Sequence, residues 1–221
     1  MSEPRRLDLE VWPRRAHFEL FRAYEHPFFN VCADVDVSAT VRRCRARGGP
    51  SFFLATFHAS LGAANDVEEF RYRIRDDGVV VHDVVHGGST VLLPDDRFAF
   101  GYFDWDPDFD AFARAASATL AEVRAAGGPL DPRDDRDDLL HYSVLPWIPF
   151  TSFAHARRHR ADDSVPKVVF GAYHGPAGAE RMPVSVEVHH ALADGLHVAR
   201  FYERFQTRLD TFGGRPAEAG T

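Results

Sequence analysis

Residues 184–188 alternate strictly, with Val184, Val186 and Val188 separated by Ser185 and Glu187. A period of two sends the valines to one face and the polar residues to the other, the pattern of a half-buried strand. The run passes without a break into His189-His190. From Val198, apolar residues recur at Phe201, Tyr202, Phe205 and Leu209 with helical spacing. A strand feeding a helix through a pair of imidazoles is the feature around which the rest of the chain has to be arranged.

The other segments read as further strands and helices. Residues 12–24 suit a short helix and 28–37, rich in Phe and Val, a strand. Residues 52–64 place Phe53, Phe57 and Leu61 at fourfold spacing and predict a helix. Segments 70–74 and 79–82 flank Asp77-Gly78, whose tolerance of positive φ predicts a hairpin. Strands are expected at 90–93, 98–103, 139–145 and 168–173. A helix is expected over 108–126, capped by Asp108 and stopped by Gly127-Gly128-Pro129. The stretch 131–138, crowded with Asp and Arg, reads as a surface loop, and the tail after Gly213 is expected to fray. No repeat or long linker divides the chain. Strands interleaved with helices, together with a hairpin, predict an α/β fold: a two-layer sandwich of a mixed β-sheet covered by helices. The 221 residues are expected to form a single domain, with an ordered core over about 12–209.

A net charge of −7 argues against a nucleic-acid surface. Short arginine clusters at Arg42, Arg43, Arg45 and Arg47, and at Arg157, Arg158 and Arg160, read as solvated faces, although one of them has the charge to meet the phosphates of a cofactor. Two cysteines, Cys32 and Cys44, make neither a disulfide framework nor a Cys-x-x-Cys metal knuckle. No apolar run approaches membrane-spanning length, and the first ten residues carry no signal-peptide core. A soluble, cytoplasmic setting is expected.

The chemistry-bearing segment is His189 to Gly195. Histidine is the side chain whose ordinary pKa, about 6.5, suits it to act as a base near neutrality. Asp194 suits a helix cap or a cation partner, and Gly195 a tight turn. Taken bare, the motif is weak. A structural role for all of these residues is open, and so is a metal-dependent hydrolase using His190, Asp194 and His197. A helix that sets histidines four apart is disfavoured by Gly195.

The wider context is more specific. The run from Met182 to Phe201 resembles the signature of the chloramphenicol acetyltransferase family, in which a strand ends in His-His-Ala and continues through Asp-Gly. Trp12-Pro13-Arg14-Arg15-Ala16-His17-Phe18-Glu19 is similar to the family's N-terminal block. Ser143-Val144-Leu145-Pro146-Trp147-Ile148 and Phe150-Thr151-Ser152-Phe153 resemble a third block, and residues 98–112 match a further family segment. The resemblance runs from about Trp12 to Leu209.

The resemblance implies a chloramphenicol acetyltransferase-like fold. It implies an enzyme that moves the acetyl group of acetyl-CoA, a co-substrate used without metal, to a hydroxyl of chloramphenicol or a related small alcohol, in a ternary complex. His190 is implied as general base and Ser143 as the donor to the developing oxyanion. Asp194 and Arg14 are implied as a structural pair. Phe21, Phe29, Phe98, Phe100 and His155 fall at acceptor positions, and Trp147 and Tyr173 at positions near coenzyme A. A homotrimer with sites between subunits is also implied. Departures cluster in the pocket. Phe21 replaces a tyrosine, Phe100 an alanine and Val169 a threonine, while Glu25, His155 and Lys167 stand where aliphatic residues are usual. Ser51 and Ala172 replace lysines associated with coenzyme A. These changes put the acceptor in question. A different acceptor, or a non-catalytic binder on the same fold, are the alternatives.

Overall fold

A computed structural model describes residues 3–126, 130–133, 136–157 and 163–212. In chain order the elements are β1 (Arg5–Arg6), α1 (Arg15–Arg22), β2 (Phe28–Asp36), α2 (Ser38–Arg45), α3 (Phe52–Asp66), a 3-10 turn (Glu68–Arg71), β3 (Tyr72–Arg75), β4 (Gly78–Val81), β5 (His86–Leu92), β6 (Phe98–Phe103), α4 (Phe109–Ala126), β7 (Leu139–Leu145), β8 (Lys167–Gly171), β9 (Arg181–His189) and α5 (Gly195–Thr211). Among the described residues no helix is long and apolar enough to cross a membrane.

The main sheet has six strands in the order β2-β9-β8-β7-β5-β6. β7 runs parallel to both β5 and β8, and the other pairs are antiparallel, so the sheet is mixed. A second sheet, β1-β4-β3, was not foreseen as a unit. The helical layer covers one face of the main sheet. Val184, Val186 and Val188 of β9, Val168 and Phe170 of β8, and Leu140 and Tyr142 of β7 enter one core with Phe57 and Leu61 of α3 and Phe201 and Phe205 of α5. α3 is buried all round from Leu54 to Ala64, Thr56, His58 and Ser60 included, because it lies sandwiched between the sheet and other helices. Gly87 of β5 permits this approach: a Cβ there would collide with the Phe57 ring.

The opposite face of the sheet carries the alternate residues and is polar. Register places Tyr102, Gly88, His141, Lys167, Glu187 and Asn30 in one row across all six strands. The next row contains Ser143, Val169, Ser185 and Cys32.

Several expectations need correction. The β3–β4 loop is Asp76-Asp77, since Arg75 pairs with Gly78. Asp76 takes the positive φ of 52°, and Gly78 is a strand residue whose missing side chain admits the Arg6 guanidinium. Gly195 shows no positive φ and no crowding; it simply opens α5. Residues 136–138 are not a loose surface loop. Asp137 accepts from Arg75 at 2.7 Å twice and from His82 at 3.1 Å, and Asp138 is buried against Arg136. Asp108 does cap α4, accepting from the Ala111 N–H at 2.8 Å, but Gly127-Gly128-Pro129, expected to stop this helix, lies outside the described residues.

Fully buried Arg73 joins the two sheets. Its guanidinium donates to the carbonyls of Asp137 (2.5 Å), Phe70 (2.9 Å), Tyr72 (2.6 Å) and Leu139 (2.6 Å). Burial pushes its pKa down to about 10, which still leaves it charged at neutral pH. Arg73→Ala would strand these acceptors and is expected to destabilise the fold by about 3 kcal/mol or more, read from a urea unfolding midpoint. An unchanged midpoint would show that water replaces the guanidinium without loss.

Candidate functional site

β9 ends where its neighbour β2 begins: His189 pairs with Phe28, and the N–H of His190 donates to the Pro27 carbonyl at 2.7 Å. The chain then turns into α5. The His190 ring lies parallel to Phe21, with centroids 3.8 Å apart and planes 9° apart, and Phe29 packs obliquely at 4.7 Å. His190 Nδ1 is 3.2 Å from the Ala193 carbonyl oxygen. A carbonyl only accepts, so Nδ1 carries the hydrogen in the neutral ring and Nε2 presents the lone pair. The ring is half-buried, with its backbone N–H bonded, one face stacked on Phe21 and Phe29 tilted against it.

Asp194 caps α5. Its Oδ1 accepts from the Leu196 N–H at 3.1 Å, and its own N–H donates to His197 Nδ1 at 3.0 Å. His197 Nε2 faces Glu69 Oε1 at 3.2 Å, so His197 closes a capping box and does not approach as a ligand. Asp194 Oδ2 accepts from Arg14 at 2.6 Å. Burial alone would push the Asp194 carboxyl up. The Arg14 hydrogen bond and the neighbouring charges of His197 and Arg14 outweigh it and hold the carboxyl below its usual range. Arg14 opens α1, which carries Phe21, so this pair sets the helix that stacks on His190. Among the described residues, no group of three or more His, Cys, Asp or Glu side chains is placed to hold a metal ion.

Arg14, Phe21, Phe29, Asp194 and His190 therefore come together. Ser143 does not join them. It lies on β7, two strands from β9, and its row meets β9 at Ser185. Four residues along β9 and two strands across place its Cα roughly 16 Å from that of His189. Ser143 shares the open face with Phe98 and Phe100 of β6, which pack edge to face at 5.7 Å. On the same face, His155 lies 3.7 Å from Glu187, and Arg157 bonds Glu187 at 2.5 Å and Asp163 at 2.9 Å while covering Phe28. Lys167 stands 3.8 Å from Asp163, and burial, then Arg157, lowers its pKa. Glu25 is exposed. Trp147 and Tyr173 lie on chain segments joined by a backbone bond. Trp147 occupies the turn after β7, and the following residue, Ile148, accepts from the N–H of Ala172 at 3.0 Å, next to Tyr173.

Burial, then the charge of Arg157, pushes His189 down to about 4; burial, then Lys167, does the same to His141. Unfolded, each imidazole titrates near about 6.5. Between those values the unfolded chain binds more protons. The stability these two groups contribute is therefore full above about 6.5 and lost as pH falls toward 4. Urea midpoints are expected to fall across this window, and less steeply in His189→Asn. A flat profile from 7 to about 4 would contradict the burial of these rings.

Sequence reasoning missed Pro27 and the Ala193 carbonyl, because a backbone acceptor leaves no signature in side-chain identity. It also missed Glu69 and Glu187 as partners, since each lies far along the chain from the group it meets, and Asp163, which sits in a loop with no regular period to place it.

A family model described as chloramphenicol acetyltransferase matches residues 3–206. The chloramphenicol acetyltransferase of Streptomyces acrimycini is 34% identical over 208 residues, covering 93% of this chain and 94% of the relative. A solved chloramphenicol acetyltransferase superposes with a TM-score of 0.87 at 28% identity, covering 94% of this chain and all of the other. The dihydrolipoamide acetyltransferase of Azotobacter vinelandii, at 14% identity and a TM-score of 0.68, shares the fold alone, covering 96% of this chain and 92% of its own. The family match over nearly the whole chain, with His190 at the strand end and Asp194 held by Arg14, establishes that this chain belongs to the chloramphenicol acetyltransferase family.

Proposed function

We propose that the chain transfers the acetyl group of acetyl-CoA to a hydroxyl of chloramphenicol or a related small alcohol, with His190 Nε2 as general base. The single observation that carries this reading is the His190 Nδ1 contact to the Ala193 carbonyl, which turns the basic nitrogen outward. The alcohol gives its proton to Nε2 as its oxygen attacks the thioester carbonyl carbon. Negative charge gathers on the carbonyl oxygen, and Ser143 supplies a hydrogen bond to it. The intermediate collapses, the carbon–sulfur bond breaks, and the imidazolium returns the proton to the leaving thiolate. The products are an ester and free coenzyme A.

The separation of Ser143 from His190 within one chain supports a homotrimer in which each site takes His190 from one copy and Ser143 from the next. Phe21 and Phe29 hold the imidazole, while Phe98, Phe100 and His155 line the acceptor side. Trp147 and Tyr173 meet the coenzyme. The polar row through His141, Lys167 and Glu187 runs beside that of Ser143 and favours a second reading, an acceptor more polar than chloramphenicol. Release of free thiol from acetyl-CoA, assayed against chloramphenicol and a panel of polar alcohols, tests both. Chloramphenicol as the preferred acceptor removes the second reading, and no release with any of them leaves a binding protein.

A further inference from the structure

His155, Glu187, Arg157, Asp163 and Lys167 form one ionic chain on the open face of the sheet. Arg157 Nε donates to Glu187 Oε1 at 2.5 Å, and its Nη1 donates to Asp163 Oδ2 at 2.9 Å. Lys167 Nζ lies 3.8 Å from that same Asp163 oxygen, and His155 Nδ1 lies 3.7 Å from that same Glu187 oxygen. Both separations are beyond hydrogen-bond reach. Charge alone gives the cluster no sign, since two carboxylates face one guanidinium and one ammonium. The unmet hydrogen-bonding groups do. Arg157 Nη2 and His155 Nδ1 are buried without a partner, and Lys167 Nζ makes no hydrogen bond among the described residues. His155 Nδ1 faces a carboxylate, so it is the nitrogen that carries the hydrogen. No carboxylate oxygen of the cluster is buried without a partner. The side chains of Arg157 and Lys167 are 12% exposed and that of His155 is 13%, too little for water to serve these donors freely.

Buried donors cost free energy until an acceptor meets them. The strand register fixes where that acceptor belongs. Lys167 pairs with His141, which precedes Ser143 by two residues on the same face of β7, and Ser143 pairs with Val169. One strand spacing across and two residues along set the Cα atoms of Lys167 and Ser143 roughly 8 Å apart. We propose that the alcohol acetylated here is a small hydroxy acid, its carboxylate held by Lys167 with Arg157 and His155 while its hydroxyl meets the acetyl group beside Ser143. This rests on the acetyltransferase reading above and narrows its more polar alternative to one charge. A carboxylate brings two oxygens and about four lone pairs, enough for all three donors. An acceptor bearing an ammonium would instead add a donor to a group already short of acceptors.

The test is thiol release from acetyl-CoA with two hydroxy acids, tropate and para-hydroxymethylbenzoate, each beside its neutral methyl ester, and with chloramphenicol. Wild type is compared with Lys167→Met. The wild-type kcat/KM is expected to be about 10-fold or more higher for each carboxylate than for its ester. In Lys167→Met, shown by its unfolding midpoint to be folded, that ratio is expected to fall to about one or below, while chloramphenicol turnover rises because an apolar side chain replaces the ammonium. A wild-type enzyme that treats acid and ester alike, or prefers the ester or chloramphenicol, overturns the hydroxy-acid assignment and leaves the acetyltransferase standing. A carboxylate preference that survives intact in Lys167→Met removes Lys167 as its holder and overturns the assignment too. No thiol release from wild type with any of these alcohols removes the acetyltransferase reading as well.

Discussion

Replacing His190 with alanine is expected to lower the rate of acetyl transfer by about 10²–10⁴-fold, the usual worth of a positioned general base. The geometry makes this a loss of chemistry more than of structure. The backbone bond from residue 190 to Pro27 does not depend on the ring, and Asp194 and Arg14 still close the start of α5. What disappears is the stack with Phe21 and the oblique contact with Phe29, worth on the order of 1 kcal/mol, and the basic nitrogen. The decisive measurements are kcat from thiol release and the unfolding midpoint on the same preparation. Coenzyme A binding, measured without acceptor, is expected to persist. Turnover at the wild-type rate in a folded His190→Ala protein would end the assignment.

The second large effect comes from the distance between Ser143 and His190. Ser143→Ala is expected to cost about 10²–10³ in kcat through loss of one oxyanion donor. Alone, that result does not say which chain the serine serves. Co-expression does. In a head-to-tail ring each site draws on two neighbouring copies, so a one-to-one mixture of His190→Ala and Ser143→Ala chains regenerates an intact pair at about a quarter of its sites. Activity near a quarter of wild type, from two variants each almost inactive, is the expected result. Mixed assemblies no more active than the two parents would place both residues in one chain's site, against the strand register.

The sequence carried the main sheet well where alternation was strict. Residues 98–103 and 139–145 form strands with those bounds, because each alternates between the helical core and the open face. α2 was missed: Ser38–Arg45 carries three basic residues in its last turn and buries only Thr40 and Val41, too narrow an apolar stripe to stand out. The small sheet escaped because its pairing of β1 with β4 joins segments more than seventy residues apart, which local pattern does not encode. At the site, His190, Asp194, Arg14 and Phe21 were legible through resemblance, and the structure brings them together with Phe29. The tautomer of His190 was not legible, since it is set by a carbonyl that any residue at position 193 would provide.

The bond between Arg14 and Asp194 closes a loop of 180 positions, and among the described residues β2 pairs with β9 alone. On a ribosome working at about 5–20 residues per second, the early half of that contact waits roughly 10–40 seconds for the late half to be made. During that interval Phe28, Phe29 and Val31 form a strand edge with nothing beside it, the kind of surface on which nascent chains stick to one another. Expression at lower temperature, or with chaperones that shield such edges, addresses this vulnerability directly, and a yield of soluble protein that tracks synthesis speed follows from where the chain places its first and last strands.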